Sequence, residues 1–289
     1  MASLQNIRRR IASVKSTQKV TKAMKMVSAS KLRRAQEAAE AARPYADKMA
    51  EMFAGLSIDP EQAASPLLAA RPAGKAAVLV VTPDRGLCGG LNTNTIKLAH
   101  QRVNALEAEG MTVAVVAVGR KGREYFRRRG VEILHDWTGL LNAPTYADAE
   151  AVGRYLVEGF LAEGFDRVDL VYARFRSVIS QVPEAQQLLP IAASESGGKR
   201  GTDATFLFEP SDEEVLGSLL PKYIQTRLFQ ALLESAASEQ GARMSAMDAA
   251  SRNAGEVIKK LTLIYNRTRQ EAVTKELLDI IGGVEALNA

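Results

Sequence analysis

Residues 7–36, IRRRIASVKSTQKVTKAMKMVSASKLRRAQ, decide the fold of this chain. The stretch has no glycine, no proline and no acidic residue. Apolar side chains recur at helical spacing, beginning at Leu4, just before this stretch: Leu4, Ile7, Ile11 and Val14. Val20, Met24 and Val27 continue the apolar stripe on a shifted helical phase. The pattern predicts one long helix over residues 3–53, which Pro44 either kinks or divides.

The charge of the chain is concentrated in the same region. The 289 residues carry 38 Lys and Arg against 33 Asp and Glu, a formal net charge of +5. Residues 1–36 hold ten basic residues and no acid, so the other 253 residues, with 28 basic and 33 acidic side chains, are net −5. Residues 1–36 are therefore strongly cationic, and we call them the cationic head, whereas the rest of the chain is mildly acidic.

Composition excludes several classes of protein. The longest stretches without Asp, Glu, Lys or Arg, residues 86–96 and 137–147, have eleven residues each, whereas a membrane-spanning helix needs about 20 apolar residues. A single cysteine, Cys88, excludes an internal disulfide, and two histidines leave little for a metal site. No apolar segment follows the early arginines, so we expect no secretory signal peptide. We also expect no cofactor and no metal.

From residue 76 short apolar runs alternate with helical stretches. The runs, which predict buried strands, are 76–82, 112–118, 131–134 and 168–175. The helical stretches between them are 92–109, 120–129 and 145–164, and a less regular stretch follows at 178–192. This alternation predicts a mostly parallel sheet covered by helices, with antiparallel pairing open for the last strands.

The last part of the chain is helical again. Ser211 and Glu214 have the spacing of a capping box. Two columns that repeat every seven residues predict a coiled-coil seam: Met247, Ala254, Leu261 and Thr268, and Ala250, Val257 and Ile264. A helix over 213–286 would be about 110 Å long, too long for the α/β domain to cover. We expect the N-terminal helix to be its antiparallel partner.

The predicted fold class is therefore α/β plus a long antiparallel α-helical coiled coil formed by the N- and C-terminal helices, with a central mostly parallel α/β domain. The predicted bounds are 1–55 for the N-terminal coiled-coil helix, 56–75 for a linker, 76–210 for the Rossmann-like α/β domain and 211–289 for the C-terminal helix.

No set of catalytic residues emerges from the α/β part. The loop TPDRGLCGGL, residues 82–91, lies where phosphate loops lie but spells no phosphate-binding motif, which favours a turn with a contact role. Cys88 has no plausible histidine base and is a poor candidate nucleophile. The basic cluster at 119–129 is interpreted as a solvated helix face, and residues 135–137, His-Asp-Trp, as a strand end that packs the tryptophan.

The cationic head leaves three interpretations open. It is Arg-rich and acid-free, as mitochondrial transit peptides are, but its apolar stripe continues past residue 36. It could bind nucleic acid electrostatically, although it lacks an aromatic platform and a recognised DNA-binding motif. The third interpretation, which the sequence favours, is a cationic shaft that faces acidic protein surfaces.

Four blocks of the sequence resemble the gamma subunit family of the F-type rotary ATP synthase. They are residues 7–36, DRGLCGGLN at 84–92, ESAASEQGARMSAM at 234–247, and VTKELLD at 273–279 followed by Gly282-Gly283. The last block departs from the usual form at Gly283, where alanine is common. The blocks come in the family's order and span almost the whole chain.

The resemblance implies a rotor shaft of the bacterial type that transmits torque and has no catalysis of its own. The implied partners are the alpha and beta subunits, the epsilon subunit and the membrane c-ring, with no nucleic acid. The implied place is the cytoplasmic face of the bacterial inner membrane, as a peripheral subunit. The motif match also implies ring-contact residues: Lys19, Lys22, Met24, Arg33, Arg34, Cys88, Arg269, Gln270, Thr274 and Glu276.

A first prediction concerns the basic residues of the N-terminal helix. Reversing the charges of Lys19, Lys22 and Lys25 should weaken the coupling of proton flow to ATP synthesis more than it weakens folding, because an exposed helix face is predicted there. The measurements are proton pumping in membrane vesicles and thermal unfolding of the chain. Equal losses in the two would refute the prediction.

Overall fold

A computed structural model of the chain describes residues 4–55, 65–69, 71–72, 74–191 and 212–288. These residues form two compact units, Met1–Val27 with Met244–Ala289 and Ser28–Arg243. Most of the predicted linker 56–75, the predicted cap at Ser211 and residues 192–210 of the predicted α/β domain lie outside the described residues. The domain bounds given above stay a prediction.

The larger unit contains a five-stranded sheet in the order β3-β2-β1-β4-β5. Its strands are β1 (Lys75–Val81), β2 (Thr112–Val118), β3 (Ile133–Trp137), β4 (Arg167–Ser177) and β5 (Ser180–Leu189). The first four pair in parallel, and β5 pairs antiparallel to β4. The predicted mostly parallel α/β sheet is confirmed.

Two long helices and three shorter ones accompany the sheet in the described part of the chain. They are α1 (Leu4–Gly55), α2 (Leu91–Ala108), α3 (Arg120–Arg128), α4 (Tyr146–Leu161) and α5 (Asp212–Asn288), with a short 3-10 helix at Leu140–Asn142. Pro44 and Pro221 lie inside α1 and α5, so neither proline ends its helix.

Strand β1 is buried on both faces, which explains its continuous apolar sequence. Its alternate residues enter different cores: Val78 and Val80 pack with side chains of α2 and α3, among them Phe126. Leu79 and Val81 pack in a second core, which draws on α4, on Met49 of α1 and on the start of α5. The α5 contribution to that core is Leu220, Tyr223, Ile224, Leu228, Ala231 and Leu232.

The third strand was predicted two residues too early. Val131 N–H donates to the carbonyl of Phe126, 3.2 Å away, and so closes the end of α3 instead of opening β3. The strand then runs through polar residues to Trp137. Because β3 is an edge strand in which no residue is fully buried, it needs no continuous apolar run. Strand β5 at the other edge is also only partly buried, and the sequence showed it only as an irregular stretch.

The apolar stripe of α1 does not shift its phase as predicted. Val20 and Val27 are 55% and 57% exposed. The inward positions keep a strict three-four alternation and are buried or half-buried: Leu4, Ile7, Ile11, Val14, Gln18, Thr21 and Lys25. Gln18 Nε2 donates to the Ser251 carbonyl at 3.2 Å, and Lys25 Nζ lies 2.5 Å from Asp248 Oδ1. Gln18 and Lys25 can occupy these positions because α5 supplies their partners, whereas Thr21 donates to the Gln18 carbonyl of its own helix.

These contacts confirm the antiparallel pairing of the N- and C-terminal helices within the smaller unit, since the later residue of α1 meets the earlier residue of α5. One predicted column of α5, Met247, Ala254, Leu261 and Thr268, is buried or half-buried. The second column is wrong at Val257 and Ile264, which are 42% and 51% exposed. Its place is taken by half-buried residues one position later: Ser251, Ile258, Tyr265 and Ala272. Both columns fit a heptad, so spacing alone cannot choose between them.

A second prediction follows from the packing of Gly119. Its φ is +95°, and a Cβ there would lie 1.7 Å from the Thr82 carbonyl oxygen. Gly119→Ala should therefore lower the free energy of unfolding by about 3 kcal/mol or more, measured by urea denaturation.

The matched control is Gly130→Ala, where φ is +74° but no atom lies within 4 Å of the added Cβ. It should cost about 1–2 kcal/mol, the strain of a left-handed alanine alone. Equal losses for the two variants would contradict the clash.

Candidate functional site

The loop between β1 and α2 is fixed at its start by Asp84. We define residues 84–90 as the contact loop. The two carboxylate oxygens of Asp84 accept hydrogen bonds from Arg120 N–H and Gly139 N–H, each at 2.8 Å. Arg120 opens α3, and a helix N-terminus at the carboxyl end of parallel strands is where a phosphate binds in nucleotide-binding sheets. Here the chain's own carboxylate occupies that position at the start of α3.

The contact loop turns through two left-handed residues, Leu87 with φ 64° and Gly89 with φ 58°. Glycine adopts this conformation freely, whereas for an ordinary L-residue it costs roughly 1–2 kcal/mol. The Leu87 side chain is 63% exposed, so packing in the larger unit does not offset the strain.

Cys88, the neighbour of Leu87, points inward. It is 1% exposed and packs with Leu91, Ala173 and Ala242. Burial raises the pKa of the thiol, and the nearby Arg243 guanidinium only partly opposes that shift. The thiol is therefore neutral at physiological pH, which agrees with its poor prospects as a nucleophile.

Helix α5 holds the contact loop through a buried ion pair. Arg243 Nη2 lies 2.6 Å from Glu239 Oε1 and 3.3 Å from the Gly86 carbonyl, to which it donates. The two side chains are 11% and 10% exposed. Burial raises the pKa of Glu239, while the Arg243 guanidinium counters that rise. Removing the arginine would leave both a carboxylate and a loop carbonyl without this partner.

The cationic side of α1 is mostly exposed, as predicted. Lys19, Lys22 and Arg34 are exposed, and so is Arg33, which pairs with Glu37 at 2.9 Å. Met24 is half-buried.

Lys25 corrects the first prediction, because it does not lie on a free face. Its ammonium pairs with Asp248, and this hydrogen bond is the main reason why the pKa of Asp248 is lowered. Asp248 also pairs with Arg252 on its own helix. Reversing Lys25 would therefore break a contact between the two helices as well as change the surface charge.

The predicted contact residues of α5 are all exposed: Arg269, Gln270, Thr274 and Glu276. Apolar side chains lie among them and after them. Val273, Leu277 and Leu278 are 50%, 54% and 63% exposed. Such a mixture of apolar and polar exposed residues is typical of a surface that meets a partner.

Neither a metal-binding site nor a membrane-spanning helix finds support in the described ranges. Within residues 4–55, 65–69, 71–72, 74–191 and 212–288, no three His, Cys, Asp or Glu side chains gather closely enough to bind a metal ion. In the same ranges, every helix falls short of the length and apolar character that a membrane span requires.

Comparison with known proteins gives a consistent result. The family model described as ATP synthase matches residues 3–287. The ATP synthase gamma chain of Methylobacterium nodulans is 51% identical over 294 aligned residues, which cover 99% of this chain and 100% of that relative. The gamma chain of Pelagibacter ubique is 48% identical over 292 aligned residues, with 99% and 100% covered.

The chain belongs to the ATP synthase gamma chain family. Among solved structures it is similar to a chain from the structure of the central stalk and c-ring of Tetrahymena thermophila mitochondrial ATP synthase, with 27% identity, a TM-score of 0.61, and 80% of this chain and 99% of that chain covered. A chain of the Euglena gracilis mitochondrial enzyme has a TM-score of 0.70 at 20% identity, with 98% and 94% covered, and supports the fold.

Within the gamma chain family, the ten residues predicted to contact the ring remain a prediction. The structure exposes eight of them, half-buries Met24 and buries Cys88. Sequence reasoning missed Leu87 and the pair of Glu239 with Arg243. The pair lies in a quoted block, residues 234–247, at the i, i+4 spacing of a helical ion pair. The left-handed backbone of Leu87 leaves no signal in the sequence.

A third prediction concerns the buried ion pair between Glu239 and Arg243. Arg243→Met should lower the free energy of unfolding by about 3 kcal/mol at neutral pH, because Glu239 is then buried and ionised without its partner. The loss should shrink as the pH falls, since the raised pKa of Glu239 lets the folded chain bind a proton before the unfolded chain does. Denaturant unfolding across a pH series measures both effects.

Two controls accompany this variant. Glu239→Gln combined with Arg243→Met should recover much of the loss, because it leaves no unpaired charge. Arg154→Met removes an exposed partner of Glu150, with the side chains 62% and 43% exposed, and should cost less than about 1 kcal/mol. A loss for Arg243→Met that stays constant with pH would contradict the role given to Glu239.

Proposed function

We propose that this chain is the central rotor shaft of a bacterial F-type ATP synthase. It transmits torque from the membrane c-ring to the ring of alpha and beta subunits and so couples proton flow to ATP synthesis. The observation that carries the proposal is the likeness to gamma chains over 99% of this chain and 100% of a relative, together with the ATP synthase family match at residues 3–287. The paired helices of the smaller unit and their cationic surface suit a shaft inside a ring of acidic surfaces.

The partners are the alpha and beta subunits, the epsilon subunit and the c-ring. The Tetrahymena match comes from a structure of the central stalk and c-ring, which supports the c-ring as a partner of this chain. The chain is a non-catalytic subunit, and nucleotide chemistry belongs to its partners. It is a peripheral member of a membrane-associated complex, at the cytoplasmic face of the bacterial inner membrane.

The helices 1–55 and 211–289 serve as the shaft, the segment 56–75 as a linker, and the α/β domain 76–210 as the foot that meets epsilon and the c-ring. The ring-facing residues on α1 are Lys19, Lys22, Met24, Arg33 and Arg34. Those on α5 are Arg269, Gln270, Thr274 and Glu276, and Cys88 belongs to the contact loop. The exposure of nearly all of these side chains supports the assignment.

A nucleic-acid-binding role, the alternative that the basic helix left open, finds no support in the comparisons. The full-length relatives are gamma chains of ATP synthases. The excess positive charge of residues 1–36 is therefore better explained by protein partners.

A fourth prediction tests the rotor function directly. The tagged full-length chain, taken from gently solubilised membranes, should co-purify with nucleotide-binding alpha and beta subunits at a fixed stoichiometry. Mass spectrometry of the eluate and its ATPase activity measure this. A chain that comes down alone would overturn the proposal.

The same preparation separates surface charge from helix pairing. Reversing Lys19 and Lys22 should lower ATP-driven proton pumping relative to ATP hydrolysis while thermal unfolding stays near that of the unmodified chain. Reversing Lys25 alone should also lower the unfolding temperature, because its partner is Asp248. Exchanging the two charges, Lys25→Asp with Asp248→Lys, should restore part of that stability. Unchanged coupling after reversal of Lys19 and Lys22 would remove them from the contact surface.

A further inference from the structure

We propose that Leu87, rather than its neighbour Cys88, is the residue by which the contact loop docks on the alpha/beta ring. Its side chain would enter an apolar pocket with an acidic rim on a ring subunit. The inference rests on the proposed rotor function and adds to it one anchoring residue and the chemistry of its receptor.

The first argument is that the loop holds Leu87 in a conformation that its sequence disfavours. Leu87 has φ 64°. The backbone carbonyls of the two preceding residues accept hydrogen bonds from side chains of the same chain. Arg85 C=O accepts from Asn92 Nδ2 at 3.3 Å, and Gly86 C=O accepts from Arg243 Nη2 at 3.3 Å. The surrounding structure therefore sets the backbone of Leu87 and maintains its strain.

The second argument is the outward direction of the side chain. Leu87 is 63% exposed, whereas Cys88 next to it is 1% exposed. Glycine or asparagine would suit the left-handed turn with less strain and would expose no apolar surface. A strained, exposed leucine does not contribute to the folding stability of this chain. The leucine side chain contributes a favourable free energy only when a partner buries it, and that contribution stabilises the complex.

The third argument is the charge around Leu87, which selects the partner. Arg85 in the same loop and Arg120 at the start of α3 are both exposed. Lys31 on the cationic stretch of α1 lies near enough to Glu239 to counter, with Arg243, the burial that raises the pKa of that carboxyl. Exposed positive charge at Arg85 and Arg120 thus accompanies that of Lys31 in the same unit of the chain. An apolar pocket with an acidic rim on the alpha/beta ring, which the cationic side of α1 is proposed to face, is complementary to both the leucine and these charges.

The test compares variants of Leu87 in the assembled complex. Leu87→Ala removes the anchor and keeps the strain, Leu87→Asn removes the anchor and relieves the strain, and Leu87→Met keeps an apolar side chain. The matched control is Leu161→Ala, at another leucine that is exposed, to 46%, near the end of α4. Each tagged full-length chain is purified with its ring subunits and then washed at high salt. At about 1 M salt the screening length falls to about 3 Å, so exposed charge contacts weaken and an apolar anchor carries more of the binding.

We expect Leu87→Ala and Leu87→Asn to retain about fivefold or more fewer ring subunits after the wash than the unmodified chain, the effect typical of an interface anchor. Leu87→Met and Leu161→Ala should retain them. The isolated Leu87→Asn chain should unfold at or above the temperature of the unmodified chain, which a merely structural leucine would not allow.

Two outcomes would overturn the inference. One is full retention of the ring by Leu87→Ala and Leu87→Asn after the high-salt wash. The other is that Leu87→Ala and Leu87→Asn both lose the ring and both unfold at a lower temperature than the unmodified chain. Leu87 would then have a structural role. Neither outcome touches the rotor proposal, which fails only if the unmodified chain brings down no ring subunits. If epsilon is lost while the ring is retained, which is a case of the first outcome, Leu87 belongs to a contact with a different partner.

Discussion

The burial of β1 on both faces is the constraint on which the larger unit depends. A strand whose alternate residues enter two different cores must be covered twice. Helices α2 and α3 provide one cover, and the start of α5, with α4 and Met49 of α1, provides the other. A helix predicted to act as a shaft is therefore also part of the core. Residues such as Ile224 and Leu228 cannot leave the sheet without exposing it to water.

This dual role of α5 gives the proposed torque transmission a physical basis. Ile224 at the sheet is fully buried, and Glu239 and Arg243, several turns later, hold the contact loop by a buried ion pair. A load applied to the sheet is passed to the helix through packed side chains, which resist deformation because protein interiors are close-packed.

The sequence alone predicted the fold in most of its parts, because strong periodicity accompanies burial. Strand β2 was predicted with its observed bounds, and α3 and α4 within one to three residues at each end. The misplacement of β3 and the indistinct β5 have one cause: both are edge strands that are only partly buried, so they lack a continuous apolar run. The error at Val20 and Val27 has another cause. Apolar residues were assigned to the interior, yet Gln18 and Lys25 are accommodated there by partners on α5 that a single helix cannot reveal.

The candidate site was predictable only in part. Exposed charged residues such as Lys19 and Arg269 could be placed by helical periodicity and motif resemblance. The inward direction of Cys88 and the outward direction of Leu87 could not, because they depend on the backbone angles of the contact loop. The loop backbone is held by Asn92 and by the distant Arg243, and no local pattern reveals the second of these contacts.

The polar residues of the helix pair in the smaller unit have a mechanical consequence. An interface of apolar residues alone would be nearly as well packed after one helix slid along the other by seven residues. Here such a slide would place Lys25 opposite Gly255 or Gly241 instead of Asp248, and Gln18 would lose the Ser251 carbonyl. The Lys25–Asp248 ion pair thus favours the observed register, and axial slip of one helix along the other is opposed by the loss of this pair.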